Sequence, residues 1–330
     1  MLRQSLKAWG RQLATAGAAA ASTTSATGPS TSGRIAAATS EAFALSRHWL
    51  SSSSGSSSSN VAATAAAAGA AAAAAARGNT ATPVRRLRQL VRDYKQLSKF
   101  RLSGLVVATA AAGYVAGSKE RIDWAGLGWT SLGTLLASAS ANALNQIYEV
   151  VNDGRMRRTA ARPLPSGRMS RPHALAFALL AGAGGVALLA DKTNATTAAL
   201  GAANILLYAA IYTPLKQLSV ANTWVGAIVG AVPPLMGWAA ATGGLDVGAS
   251  ILAAGLYFWQ MPHFMALAWM CRADYAAGGY RMLSLVDATG RRTAACALRN
   301  CVYLLPLGLL ATWLGVTSPY FALESGTPGP

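Results

Sequence analysis

From about residue 100 onward the chain alternates between long apolar stretches and short polar ones, each stretch near the roughly 20 residues needed to cross a bilayer. The pattern predicts spans at about 100–118, 126–146, 172–190, 195–213, 221–242, 248–270 and 294–316. All are rich in Gly and Ala, whose small side chains let helices approach closely in lipid. The expected fold is therefore an all-α integral membrane protein, a multi-span helical bundle. The ten-residue alternation that a membrane β-barrel needs is not seen.

Composition agrees: 53% of the 330 residues are hydrophobic, 12% are charged, and mean hydropathy is +0.33. Charge adds a direction. With 28 Lys+Arg against 11 Asp+Glu the net charge is +17. The basic residues lie at the N-terminus and in loops beside apolar spans, so the expected partner is the lipid bilayer and not nucleic acid. Cys271, Cys296 and Cys301 have no metal-ligand spacing and give no disulfide framework. Seven spans put alternate loops on opposite sides. Segments 85–101, 146–171, 213–219 (a short turn, TPLKQLS) and 271–293 share one side and hold nearly all the basic residues of the domain. KERID (119–123), Asp191-Lys192 and Asp246 lie opposite. By the positive-inside tendency the basic side faces the organelle interior.

Residues 1–93 differ. Through residue 92 the sole acid is Glu41, and the opening MLRQSLKAWGRQLATAG sets Leu2, Leu6, Trp9 and Leu13 at helical spacing among basic residues. That is the composition of an organelle transit peptide. The Ser run at 51–60 and the Ala run at 65–78 lack the varied apolar surface of a core and are expected to be disordered. The expected organisation is a transit peptide and Ser/Ala-rich region at 1–93, a membrane domain at 94–316 and an irregular tail at 317–330. The expected location is the mitochondrial inner membrane, multi-pass, with the basic loops in the matrix, although the signal by itself separates mitochondrion from plastid poorly.

Two loops on the basic side carry the candidate chemistry. In YEVVNDGRMRRTAARPLPSGR (148–168) no strong breaker precedes Gly154. A helix running on from the second span would set Asn145, Glu149 and Asp153 at i, i+4 and i+8, in one row about 6 Å apart. Oxygen ligands so spaced suit Mg2+, which takes one or two carboxylates together with waters and substrate phosphates. Arg157, Arg158 and Arg162 follow at once. Guanidinium forks bind phosphate oxygens bidentately, so the combination reads as a metal–diphosphate site. The same residues also fit orientation-setting arginines with acids that merely pair with them. In HFMALAWMCRADYAAGGYRML (263–283), His263 sits inside the sixth span, a costly place for an ionisable group. Arg272, Asp274, Tyr275 and Gly278-Gly279 lie just beyond it. A core histidine bonded to a carbonyl, and a simple glycine turn, are the plain alternatives. Asp274 is one of few acids on the basic side and is expected to meet the first loop across a shared cavity, whereas changing Asp287, further along, to Asn is expected to do little to turnover. A nucleophile–base constellation is not found.

The blocks NQIYEVVNDGRMRRTAARPLPSG (145–167), YTPLKQLSVANTWVGAIVGAVPPLMGW (212–238) and HFMALAWMCRADYAAGGYRML (263–283), in this order, resemble the protohaem IX farnesyltransferases, or haem O synthases. These are a branch of the UbiA-type intramembrane prenyltransferases, and the mitochondrial members are the nearest likeness, over roughly residues 94–316. The resemblance implies transfer of a farnesyl group from farnesyl diphosphate to a vinyl group of protohaem IX (haem B), with water adding a hydroxyl to give haem O. It further implies Mg2+ as cofactor, a place in haem A and cytochrome c oxidase biogenesis, and haem A synthase or oxidase-assembly factors as partners.

Residue by residue, the resemblance implies metal ligation by Asn145, Glu149, Asp153 and Asp274, with Asp153 and Asp274 catalytic. It implies diphosphate contacts from Arg158, Arg162 and Lys216, to which Arg157 and Arg272 are added from their positions beside them. His263 would orient the haem. Quinone-making relatives carry Asp-x-x-x-Asp where Gly278 here takes the second acid's place, which favours the haem branch. Ala273 and Ala277 stand where animal relatives often carry one charge of each sign. Such enzymes have nine spans, so a chain with seven is expected to lack the last two. The competing functions are a quinone-pathway aromatic prenyltransferase, which shares the diphosphate machinery, and a non-catalytic transporter or assembly factor. A transporter would be supported by inverted repeats, and none is visible. Tyr148, Tyr212 and Trp259 are candidates to shield an allylic cation, with interfacial anchoring as their commoner role.

Overall fold

The computed structural model describes residues 83–118 and 121–317. Among these, every regular element is helical. The expected transit peptide, the Ser and Ala runs, Lys119 and Glu120, and all but the first residue of the C-terminal tail lie outside the described residues. Helix α1 (Pro83–Leu97) precedes α2 (Phe100–Gly117) and α3 (Trp124–Tyr148), which a short α4 (Val150–Arg155) continues. Then come α5 (Arg171–Lys192) and α6 (Ala195–Leu206), the latter running through a π turn (Leu207–Tyr212) into α7 (Thr213–Leu218). After α8 (Asn222–Thr242) and α9 (Val247–Met270) stand two short helices, α10 (Arg272–Ala277) and α11 (Leu283–Val286), before α12 (Arg291–Trp313).

Each predicted span has its helix. Six segments are long and apolar enough to cross a membrane: Phe100–Gly117, Arg171–Lys192, Ala195–Leu218, Asn222–Thr242, Val247–Met270 and Arg291–Trp313. Helix α3 is as long, at 25 residues, but more polar, because Thr130, Thr134, Ser140, Asn142, Asn145 and Gln146 are buried along it. In lipid such a stripe is tolerated only where it faces protein and finds partners. Ser140 Oγ donates to the Ala178 carbonyl at 2.7 Å, and Gln146 Nε2 donates to the Leu97 carbonyl at 2.6 Å. The polar stripe therefore ties α3 to α5 and α1.

Two segments expected to be loops are helical. Most of 85–101 belongs to α1, which also runs across the boundary between residues 93 and 94, the expected start of the membrane domain. TPLKQLS, expected as a turn, closes the Ala195–Leu218 span. Pro214 lacks an N–H and its ring crowds the carbonyl four residues back; the π turn just upstream widens the helix there, and Thr213 Oγ1 donates to the Tyr208 carbonyl at 2.8 Å.

Glycines set the closest helix approaches. Gly113 of α2 faces the Pro234 main chain of α8, and Gly237 of α8 faces the Ala110 carbonyl of α2. A methyl group at either position would overlap backbone atoms, which cannot move aside as a flexible side chain does. Gly185 of α5 approaches α3 in the same way, where an added Cβ would lie 2.9 Å from Leu136 Cβ and 3.0 Å from the Ala137 nitrogen. Gly237→Val is expected to force α2 and α8 apart and cost about 3 kcal/mol, by overpacking. The readout is a lower unfolding temperature of the purified chain in detergent. Gly128→Ala, where an added Cβ meets open space, should leave it unchanged or slightly raised.

Candidate active site

The helix α3 breaks at Glu149, whose φ of −91° and ψ of 12° leave the α region. Its hydrogen bonds carry the helical path through the break: Glu149 N donates to the Asn145 carbonyl at 3.0 Å and Asp153 N to the Glu149 carbonyl at 2.7 Å. Asn145, Glu149 and Asp153 thus keep their four-residue spacing, with relative exposures of 0%, 3% and 1%. Buried acids at this depth need partners, and each has a cation. Lys216 Nζ donates to Glu149 Oε1 at 2.9 Å, and Arg162 Nη1 donates to Asp153 Oδ2 at 2.6 Å. Met156 is extended and ends α4; Thr159 Oγ1 then caps the Asp153 carbonyl at 2.8 Å, so the chain turns back and brings Arg162 to the acid nine positions earlier.

The π turn of α6 supplies the facing wall. Asn145 Nδ2 donates to Thr213 Oγ1 at 3.0 Å, and the Tyr208 hydroxyl donates to Asn142 Oδ1 at 3.2 Å. The Tyr212 ring lies under Lys216, its centroid 4.6 Å from the ammonium nitrogen. A third cation enters from the turn between α1 and α2. Lys99 Nζ donates to Asn145 Oδ1 at 2.8 Å and to the Tyr208 hydroxyl at 3.3 Å. Lys99 is left-handed, φ 45° and ψ 51°, the one positive-φ residue besides glycine among the described residues. Such strain persists only where its surroundings hold it. Burial, then the nearby Lys216 and Arg162 charges, push the Lys99 ammonium down to about 7. The cluster has more positive charge than its acids balance.

The second loop repeats the construction of the first. Helix α9 breaks at Cys271, while Cys271 N donates to the Leu267 carbonyl at 2.9 Å and Tyr275 N to the Cys271 carbonyl at 3.0 Å. Asp274, so placed, lies 4.0 Å from Arg158 of the first loop. Three segments are stapled together here. Asn152 Nδ2 donates to the Gly278 carbonyl at 2.7 Å, Gln217 Nε2 to Asn152 Oδ1 at 3.2 Å, and Arg281 N to the Lys216 carbonyl at 2.7 Å. Met156, Tyr280 and Met282 pack beneath them. An added Cβ on Gly278 would lie 2.9 Å from Met156 Sδ, so the glycine is what lets the loops close. Burial, then the Glu149 carboxylate, raises the Tyr280 hydroxyl above its usual range and keeps it protonated.

Other sequence candidates stand apart. Arg157 is exposed, and Arg272 stacks on Trp269, 4.4 Å from its ring centroid. His263 is exposed on α9, its ring 6.0 Å from that of Phe264. Tyr148 and Trp259 are exposed as well, so the aromatic wall is made instead by Tyr208, Tyr212, Tyr275 and Tyr280. Asp287 has a structural role: it is buried and accepts from the backbone N–H groups of Thr293 at 2.8 Å and Gly290 at 3.0 Å, anchoring the start of α12. The Thr293 N–H holds its carboxyl below the usual range. Lys99, Asn152, Thr213 and Gln217 were not singled out by motif. The one available sign for Lys99 was a lysine directly before the first span, in QLSKF.

Asp153 Oδ1 is buried without a hydrogen-bond partner. That orphan oxygen, with Glu149 four residues away, fits a divalent cation drawing its other ligands from phosphate and water. It does not fit an all-protein cage: among the described residues no group of three or more His, Cys, Asp or Glu side chains gathers, and the Asn145 oxygen already accepts from Lys99.

A bundle of membrane-length helices with a buried cluster of lysine, arginine and carboxylate side chains where α3 ends defines an intramembrane helical protein. The chain belongs to the UbiA prenyltransferase family, whose model matches residues 106–327. It is similar to protoheme IX farnesyltransferase, mitochondrial, from Arabidopsis thaliana, with 60% identity over 235 residues, 71% of this chain and 54% of that one. The human protein of the same name is 49% identical over 228 residues, 69% of this chain and 51% of its own. Protoheme IX farnesyltransferase of the bacterium Koribacter versatilis is 41% identical over 69% of this chain and 75% of its own. The chain thus spans about half the length of the mitochondrial relatives it matches. Among solved structures, a UbiA homolog from Archaeoglobus fulgidus bound to DMAPP and Mg2+ aligns with a TM-score of 0.60 over 71% of this chain and 84% of that one, at 13% identity. An apo UbiA homolog from Aeropyrum pernix K1 gives 0.58 over 68% and 83%, at 17%.

Two outcomes follow from the buried pairs. Arg162→Met leaves Asp153 as an uncompensated buried charge and is expected to cost about 3–5 kcal/mol. Adding Asp153→Asn should recover a large part of it in a double-mutant cycle read by thermal unfolding. Asp287→Asn should lower stability at neutral pH without lowering turnover per folded molecule. Because the folded carboxyl titrates below its unfolded value, the Asp287 contribution is present above about pH 4 and fades as pH falls further.

Proposed function

We propose that the chain transfers a farnesyl group from farnesyl diphosphate to a vinyl carbon of protohaem IX, with water adding a hydroxyl, to give haem O. One observation carries the reading: Lys99, Lys216 and Arg162 converge, around buried acids, on a cleft with an excess of positive charge. The names of its relatives support the choice of substrates. In this account Lys99, Lys216, Arg158 and Arg162 take the diphosphate oxygens by charge-assisted hydrogen bonds. Glu149 and Asp153, the latter through its free Oδ1, would hold Mg2+ together with diphosphate oxygens, and Asp274 would reach it from the second loop through water; the ion when bound adds positive charge beside the leaving diphosphate. Arg157 and Arg272 flank this site, and His263 is the candidate haem-orienting residue on α9.

The allylic C–O bond breaks with its electron pair going to the diphosphate, whose growing charge the cations stabilise in a site shielded from water. The ring faces of Tyr212, Tyr275 and Tyr280 border that site and suit the allylic cation. The vinyl π electrons of the haem form the new C–C bond; water adds to the resulting carbocation and its proton passes to solvent. No activated Ser, Cys or Lys is needed. A quinone-pathway acceptor is disfavoured by Gly278, where a carboxylate in the position of a second acid would press on Met156. The relatives' names and the apolar helices support a mitochondrial membrane. We place the chain in the inner membrane, its cleft open to the matrix, with haem A synthase or oxidase-assembly factors as neighbours.

The test is mass spectrometry of haems from cells that lack their own enzyme and express this chain. Haem with one added farnesyl group and one water is expected; a prenylated phenol with unmodified haem would overturn the reading. In the same cells Asp153→Asn and Asp274→Asn should lower haem O by orders of magnitude at matched folded protein, by loss of a metal-ligating charge. Asp191→Asn, exposed and paired only with Lys192 at 2.8 Å, should not. Near-normal product from either of the first two would remove the two-loop metal site.

A further inference from the structure

The first turns of helix α1 expose an apolar stripe that only the end of the helix packs against the bundle. Its attachments lie toward that end. Leu97 is buried, and the Gln96 and Leu97 carbonyls accept from Gln146 Nε2 of α3 at 3.0 and 2.6 Å. Asp93, the only acid in the helix, is also turned inward, accepting from Gln89 Nε2 at 3.1 Å and from Arg168 Nε at 3.0 Å. The turns before these anchors carry Val84, Leu87, Leu90 and Val91, which are 45–62% exposed and continue, at three- and four-residue spacing, the side of the helix on which Tyr94 and Leu97 pack. Arg85, Arg88, Arg92 and Lys95, all exposed, border that stripe. An apolar stripe edged by cations, with its one acid neutralised, is the profile of a helix lying in a lipid–water interface.

The neighbouring surface continues the same chemistry. Three residues after α1 ends, the first membrane span begins, with Phe100, Leu102 and Leu105 exposed. Between the two helices opens a cleft of about 640 Å3, lined by Arg92, Lys95, Gln96, Lys99, Phe100, Arg101 and Leu102. One wall is cationic and the other is continuous with the lipid-facing side of the bundle. That combination fits a phosphate group carrying an acyl chain better than an acidic protein segment, which has no use for the descent along Phe100 and Leu105.

We propose that α1 lies in the membrane interface and that the cleft at its C-terminal end seats the phosphate headgroup of an anionic phospholipid, its acyl chain lying along Phe100, Leu102 and Leu105. Because Gln146 grips the end of α1 and Lys99 follows two residues later, the seated lipid also holds the left-handed turn that aims Lys99 at the cleft of α3. The lipid site borders the diphosphate seat at Lys99 but does not depend on which reaction the chain performs.

The full chain, reconstituted in nanodiscs of phosphatidylcholine alone or with phosphatidylglycerol, tests this by hydrogen exchange over residues 84–97. Exchange is expected to be about a hundredfold slower in the anionic discs, since three interfacial cations at about 1 kcal/mol each suffice for it. The triple variant Arg88→Gln, Arg92→Gln, Lys95→Gln should abolish the difference, and native mass spectrometry should show retained phosphatidylglycerol only on the unaltered chain. The double variant Leu87→Ser, Leu90→Ser should speed exchange in both membranes. Equal exchange in neutral and anionic discs would overturn the proposal. Protection that persists in detergent, or in the triple variant, would do the same and would point to a protein covering α1.

Discussion

A carboxylate buried at the end of a membrane bundle requires a cation, and Glu149 and Asp153 together require two. That constraint accounts for much of the irregular backbone in the molecule. Lys216 reaches Glu149 because the π turn before Pro214 carries α6 on into α7 as one span. Arg162 reaches Asp153 because α4 stops at Arg155 and the chain folds back under Thr159. Lys99 reaches Asn145 from a left-handed turn that side chains other than glycine rarely adopt. Three local departures from regular helix converge on one row of side chains. Burial first, then the Lys216 and Arg162 charges met there, lowers the pKa of the Lys99 ammonium, so an added anion would favour its charged form.

The bundle makes this geometry stiff. Glycines bring α2 against α8 and α3 against α5 at backbone contact, so the helix that carries Asn145 and Glu149 is held on two sides. The loops are less constrained: α4 and α10 each hang from a helix break and meet through Asn152, Gly278 and the pair Met156–Tyr280.

The span pattern and the acid row were legible in the sequence because both rest on simple periods, an apolar run near 20 residues and a four-residue repeat. That Asp274 meets the first loop was legible because acids are scarce on the basic side; that its partner there is Arg158 was not. What the sequence hid depends on tertiary closure. Lys99 reads as one more basic residue before a span until the backbone turns it inward. The π turn has no compositional sign beyond Pro214, and TPLKQLS therefore looked like a turn. Helix α1 looked like a charged loop because its apolar residues are fewer than its polar ones. The anchoring role of Asp287 was not legible because its partners, the Gly290 and Thr293 N–H groups and the Thr293 hydroxyl, form no motif. Tyr148 and Trp259 look the same in sequence as Tyr208 and Tyr280; only packing separates lipid-facing rings from cleft-lining ones.

The central claim is that Lys99, Lys216 and Arg162 form a diphosphate seat. Calorimetric titration of farnesyl thiodiphosphate, which resists cleavage, into the full chain with Mg2+ present tests it most directly. Lys99→Met, Lys216→Met and Arg162→Met should each weaken binding by about ten- to a hundredfold, the loss of one charge-assisted hydrogen bond. Undiminished affinity in folded Lys99→Met and Lys216→Met would contradict the account, and would mean that these cations serve only to neutralise buried acids.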